Sequence, residues 1–270
     1  SSLVGSEMCI RDSFNCLIPE LRVFDIEKSK QFYTQILGFN IAYEREDFAM
    51  LTLGDCQIML QELTLPSTKG SWNVTDDMQC PLGRGVNFQI ILPDISKVYY
   101  SLKKHNVDIF VDLLVSDYKE NDINNHVLEF LVQDPDGYLL RFQQDIEDWH
   151  FGNDENTANK LFELVLEGKK TATSYLFFEN TKIGEGFSIL TNWNKTKRII
   201  ILTKKAYIST FNKISAEHAQ KEGEGDKSLD MWKNIHKKFF SKELQKYNMP
   251  FDENCKVVCE EFKVVKVLEK

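Results

Sequence analysis

Several stretches of this 270-residue chain hold side chains whose types and spacing suit chemistry. GKKTAT (Gly168–Thr173) sets two adjacent lysines among threonine hydroxyls, a composition suited to touching a phosphate. EGEGD (Glu222–Asp226) alternates acids with glycines. That gives either a solvated acidic loop or a cluster in which crowding raises one carboxyl pKa or holds a divalent ion. His236 follows Trp232 by one helical turn and reads as an acid or base, or as a core imidazole with its hydrogen bonds satisfied. Cys9, Cys16, Cys56, Cys80, Cys255 and Cys259 form no CxxC pair. Reduced thiols are expected, with Cys255 and Cys259 packing on one face of a strand.

The elements that must position these residues fall into two patterns. In the first half, a β-rich run over 16–24 leads to the N-cap Asp25, and Phe32 with Ile36 and Tyr33 with Leu37 then recur at helical spacing up to Gly38. Strands are predicted over 40–46, 48–53 and, past the Gly54-Asp55 turn, 56–62. The order returns about 70 residues on, an internal repeat. A strand over 85–92 is followed by the cap Asp94, the stripe Ile95, Val98, Tyr99 and Leu102, and strands near 109–115, 127–132 and 138–143. Beyond Trp149 the pattern changes. A helix over 156–167 buries Leu161, Leu164 and Val165 and stops at Gly168, strands cover 187–191 and 198–203, Leu229, Trp232, His236 and Phe239 share one helical face, and a strand over 256–267 closes the chain.

The predicted class is α+β in two domains: 14–147, built from paired βαβββ modules, and 148–270, a small β-barrel with helices. Residues 1–13, SSLVGSEMCIRDS, lack the basic start and apolar stretch of a secretory signal and read as a non-native or disordered tail. With 42% hydrophobic and 27% charged residues the composition is that of a soluble globular protein, which excludes collagen-like and low-complexity classes. No apolar run approaches the roughly 20 residues of a membrane span. A cytoplasmic protein with no membrane partner is therefore expected.

The net charge of −8 divides unevenly: residues 14–147 hold 11 Lys+Arg against 21 Asp+Glu, and residues 148–270 hold 21 against 18. An acidic first half suits a cationic ligand. The excess of positive charge in the second half is small for extensive RNA contact, so a single nucleoside is at least as compatible as an RNA.

The paired modules resemble the vicinal-oxygen-chelate superfamily of glyoxalases, extradiol dioxygenases and bleomycin-resistance proteins. IPELRVFDIEKSKQFYTQILGF (Ile18–Phe39) is similar to its opening strand and helix, and QDPDGYLLRFQQ (Gln133–Gln144) to its closing hairpin. The resemblance places Ile18, Asn87 and Arg141 at three of the positions that hold metal in the catalytic branch, with Gln61 or Glu62 near the fourth. Isoleucine has no donor atom and arginine is a fixed cation without a lone pair, so neither a metal nor another cofactor is expected, and glyoxalase or dioxygenase chemistry is disfavoured. The bleomycin-resistance branch implies sequestration of a cationic small molecule such as bleomycin, and hence antibiotic resistance, in a groove of aromatic and acidic residues formed by a homodimer. Tyr43, Phe48, Glu62, Trp72, Phe110 and Phe130 are the candidate ligand-binding residues. Pro19 would hook the dimer or simply begin an edge strand.

GKKTAT, Glu222–Trp232 and VVCEEFKVV (Val257–Val265), in that order, resemble the ASCH family, whose PUA-like barrel is linked to RNA. One branch hydrolyses the acetyl amide of N4-acetylcytidine with a lysine, a threonine and a glutamate, which fall here on Lys170, Thr173 and Glu222. Lys170, beside Lys169, would lose its proton and act as base, Thr173 would attack, and Glu222 would hold and protonate the leaving amine. Tyr175 stands where that branch carries arginine. Three functions follow: a ligand-sequestering domain joined to an RNA- or nucleoside-binding ASCH domain, an N4-acetylcytidine amidohydrolase whose first domain dimerises or senses, or two non-catalytic receptors for RNA or a ligand.

Overall fold

The computed structural model describes residues 14–63, 78–120 and 123–268, so the expectations for 1–13 and Trp72 lie outside the described residues. The chain divides into two compact units, Ser1–Ser116 with Val127–Gln144 and Asp117–His126 with Asp145–Lys270.

The first unit contains the repeat apart from 117–126 and Asp145, which belong to the second. Its first module runs β1 (Glu20–Val23), α1 (Ile26–Gln31), β2 (Asn40–Arg45), β3 (Phe48–Leu53) and β4 (Cys56–Glu62). Its second runs β5 (Asn87–Ile91), α2 (Ser96–Lys104), β6 (Ile109–Glu120), β7 (Ile123–Gln133) and β8 (Leu139–Asp145). The sheet orders, β1-β4-β3-β2 and β5-β8-β7-β6, are the same topology, with the first and last strands of each module parallel. Pro19 precedes the edge strand β1, where its missing N–H costs nothing.

Asp25 caps α1 by accepting from the Lys28 N–H at 2.9 Å. The turn then widens to π geometry over Phe32–Ile36, with the Leu37 N–H on the Phe32 carbonyl. The wider turn buries Phe32, Tyr33 and Leu37 and leaves Ile36 half-exposed, so the regular spacing expected through Ile36 is broken. The Ile95, Val98, Tyr99 and Leu102 stripe is buried as its spacing requires.

The hairpin turn between β7 and β8 joins the modules. Asp136 accepts from the Phe24 N–H (2.8 Å) and the Ser29 hydroxyl (2.7 Å), and Asp134 accepts from the Tyr33 hydroxyl (3.0 Å), so two buried carboxylates of one module satisfy donors on the other. Replacing Asp136 with Ala strands both donors and should destabilise this unit by about 2 to 4 kcal/mol. The check is loss of hydrogen-exchange protection across α1.

In the second unit a five-stranded sheet has the order β10-β13-β12-β11-β9, from β9 (Asp148–Trp149), β10 (Ala172–Leu176), β11 (Gly186–Thr191), β12 (Arg198–Thr210) and β13 (Lys256–Leu268). Its helices are α3 (Glu155–Leu166), α4 (Ala216–Glu222) and α5 (Leu229–Gln245). The strand expected to end at Thr203 continues to Thr210, because a register shift between Thr203 and Lys205 interrupts the alternation without ending the pairing. One apolar cluster gathers Phe211, Trp232, Phe240 and Val257, and another Phe162, Val165, Leu190, Ile199 and Phe262. The buried stripe of α5 is Trp232, His236, Phe240 and Leu244, with Leu229 and Phe239 at its margin. Among the described residues no helix is long and apolar enough to cross a membrane.

Candidate active site

A cleft of about 1060 Å³ opens in the second unit, walled by Phe151, Phe187 and Phe239 and floored by Lys170, Thr173, Ser174 and Glu222. Lys170 follows the end of α3 and Thr173 lies on β10, so GKKTAT is a short connection running into a strand. The Lys170 side chain is 1% exposed. Its Nζ reaches Glu222 Oε2 at 2.9 Å and Glu224 Oε1 at 2.7 Å, and stands 5.1 Å from the centre of the Phe151 ring.

Both carboxylates reach one ammonium because α4 ends between them. Gly223 takes φ +71° at the C-cap, and a Cβ there would run into the Lys169 carbonyl. Gly223→Ala is expected to cost about 2 kcal/mol or more from the left-handed backbone alone. It should also uncouple Glu224 from Lys170, which thermal unfolding together with hydrogen exchange over 221–224 would detect.

Glu222 is the hub of a buried network. Its Oε1 accepts from the Ser174 hydroxyl (2.6 Å) and the Trp232 indole N–H (2.7 Å). Ser174 Oγ also lies 2.8 Å from His218 Nε2. Burial alone would raise the Glu222 carboxyl, yet Lys170, His218 and His236 hold it well below the usual carboxylate range. Burial likewise opposes the Lys170 cation, and Glu222 and Glu224 outweigh it, keeping Lys170 above the ordinary lysine value. For His218 burial is again outweighed, by Cys259 and Glu222, which lift it to about 9.

The roles expected of two residues change accordingly. Lys170 rests as an ammonium between carboxylates, not as a neutral base, and the Lys169 side chain is turned to the exposed Glu167 at 2.6 Å. Glu222 rests ionised with both oxygens engaged, so it carries no proton to deliver. The structure does bring Lys170 and Glu222 into contact and sets Thr173 in the same cleft.

Sequence reasoning missed several cleft residues, Ser174 and Glu260 among them. Glu260 of β13 stands directly opposite Thr173 in the β10–β13 register, and Tyr175 donates to its Oε1 at 2.7 Å. Period-2 alternation was the available signal, since it puts Glu260 and Glu261 of VVCEEFKVV on opposite faces. His236 stacks on Trp232 at 4.1 Å with Nδ1 on the Trp232 carbonyl, and burial lowers its pKa. Its Nε2 faces Glu222 Oε1 at 3.7 Å. Glu224 turns to Lys170 while Asp226 accepts from the Ser228 N–H at 2.8 Å, so the two acids do not converge on an ion. Cys259 is buried and Cys255 partly so within one apolar cluster.

In the first unit Tyr43 and Phe48 are neighbours on β2 and β3, ring centres 6.1 Å apart, and Arg45 lies over the Phe48 face at 4.6 Å. Glu62 Oε2 accepts from the Ile26 N–H at 3.2 Å, at the start of α1. Phe110 is exposed on β6. Phe130 is not a groove residue: at 0% exposed it stacks on Phe142 and meets Tyr99 edge-on, inside the core of the second module. The positions implied for a metal do not fit one. Ile18 offers no donor, and the Arg141 guanidinium is a cation held by Gln89 and Glu129. Among the described residues no cluster of three or more His, Cys, Asp or Glu is placed to hold an ion.

Comparison with known proteins gives matches in both halves. Residues 16–54 match the bleomycin resistance protein-like N-terminal family model, and residues 147–266 match the ASCH domain model. Among solved structures, an ASCH domain from Lactobacillus crispatus is 33% identical, with 43% of this chain and 77% of that one covered and a TM-score of 0.41. A protein from Enterococcus faecalis is 32% identical, covering 45% and 77%, at a TM-score of 0.41. A glyoxalase/bleomycin resistance protein/dioxygenase superfamily member from Vibrio splendidus is 36% identical, covering 47% and 95%, at a TM-score of 0.22. No curated protein matches the chain. The chain carries a bleomycin-resistance-like domain and, after it, an ASCH domain.

Proposed function

We propose that the ASCH domain hydrolyses the acyl amide of an N-acylated amino-nucleobase, with N4-acetylcytidine as the representative substrate. The observation that carries this reading is a fully buried, charge-compensated Lys170 beside Thr173 on the floor of an aromatic-walled cleft. Burying an ammonium is costly, and partners this well placed hold it where charge must later be stabilised. Two of its hydrogens go to carboxylates, and the third is held only at 3.4 Å by the Glu222 carbonyl, so it can turn to an oxyanion forming on the substrate. Thr173 supplies the nucleophilic hydroxyl. Glu222 fixes the charge and position of Lys170, and the phenylalanine walls receive the base. Incubation of the full chain with N4-acetylcytidine should release cytidine and acetate in equal amounts, and intact substrate after prolonged incubation would end this reading.

The first domain supports a second reading, as a dimeric module that sequesters a cationic aromatic ligand. Tyr43 and Phe110 are 57% and 60% exposed on strands of a strongly acidic half. Calorimetric titration of the full chain with metal-free bleomycin should give saturable heat at about one ligand per chain if this holds, and no heat at several temperatures if it does not.

A further inference from the structure

The cleft holds two kinds of carboxyl group. Glu222 and Glu224 both ion-pair with Lys170, and His218 lies beside Glu222 as well. Glu260 is not so paired: among the described residues no cation lies within salt-bridge range of it, since Lys205 and Lys221 close on its neighbour Glu261 at 3.6 and 2.9 Å. Among the described residues its hydrogen-bond partner is Tyr175, which engages Oε1, and Glu260 lines the cleft. Cross-strand partners place their Cβ atoms roughly 5 Å apart on the same face of a sheet, so Glu260 and Thr173 project together into this space. Ala206, the partner of Glu260 on β12, adds no charge.

We propose that Glu260 is the group that carries the proton during catalysis, receiving it from Thr173 and passing it to the leaving amine. The proposal rests on the hydrolase reading above, and it fills the gap left by Lys170 and Glu222, whose resting states leave neither free to move a proton. As Thr173 Oγ1 bonds to the acyl carbon, its proton passes to Glu260 Oε2. The carbon–nitrogen bond then breaks and the same proton moves to the nucleobase amine. Water repeats the exchange on the acyl-threonine: its oxygen bonds to the acyl carbon, its proton goes to Glu260 and on to the departing Thr173 oxygen, and free acid leaves. Burial raises the Glu260 carboxyl above the usual value, and the Tyr175 hydrogen bond opposes that rise. Activity should therefore need Glu260 ionised and should fall as pH drops through its raised pKa.

The test is the pH profile of acetate release from N4-acetylcytidine by full-length protein. Glu260→Gln should lower kcat at least 100-fold with KM within threefold, and flatten the acid limb. Tyr175→Phe removes only the hydrogen bond that holds the pKa down, so it should move the acid limb to higher pH, and it serves even if Glu260→Gln fails to fold. Near-normal turnover in Glu260→Gln, or an acid limb unmoved in Tyr175→Phe, overturns the role of Glu260 and leaves the hydrolase reading standing. A wild-type protein that releases no acetate overturns both.

Discussion

Lys170→Met is expected to reduce acetate release by at least about 100-fold and to destabilise the ASCH domain by about 3 to 5 kcal/mol. The second effect arises because the substitution leaves Glu222 as a buried anion whose nearest compensating charge has gone. In the wild type the Glu222 pKa is depressed, so its stabilising contribution is present above the ordinary carboxylate value and is lost as pH falls through its lower folded pKa. Without Lys170 only His218 and His236 oppose burial, so Glu222 takes up a proton at higher pH than in the wild type. The deficit of the variant should then shrink as pH falls and that proton is taken up. The double variant Lys170→Met with Glu222→Gln should recover much of the lost stability and none of the turnover, because it removes both charges together. Thermal unfolding of the four proteins between pH 4 and 8 checks the cycle, and equal, additive losses would show that the pair is not coupled.

The modular repeat was legible because both copies keep the same signals: an aspartate before a helix, an apolar stripe and strands at even spacing. What was not legible is which of two adjacent lysines is buried. The residue types at 169 and 170 are identical, and the choice is made by α4, whose C-cap at Gly223 packs on the Lys169 backbone and presents Glu222 and Glu224 to Lys170. β10 was missed for a related reason. Ala172, Thr173, Ser174 and Leu176 are all buried, so the strand lacks the alternation that marks a half-exposed one. Phe130 misleads in the opposite direction, since an aromatic on a strand fits a groove and a core equally well until the neighbours Phe142 and Tyr99 are known.

Burial of the acid–base residues also accounts for the protonation states that sequence reasoning reversed. A lysine beside a second lysine suggests a depressed pKa only if both charges share one environment. Here Lys169 is in solvent and Lys170 faces two carboxylates that lie 52 and 54 residues further along the chain. The electrostatics of the site are thus set by tertiary contact, and local composition points the wrong way.

Thr173→Ala should lower turnover of N4-acetylcytidine by roughly 1000-fold or more, the loss that follows removal of a nucleophile when only electrostatic stabilisation and binding remain. Thr173→Ser keeps the hydroxyl and should retain activity within about tenfold. Thr173 faces the cleft from a strand whose backbone pairing with β13 does not depend on its side chain, so both variants should fold, with a cost near 1 kcal/mol for the alanine. Lys170, Glu222 and the aromatic walls are untouched, and cytidine affinity measured by calorimetry should change little. A Thr173→Ala protein that binds cytidine normally and still releases acetate at the wild-type rate would rule out an acyl-threonine. Water would then be the nucleophile, leaving Lys170 to stabilise the oxyanion of a direct hydrolysis.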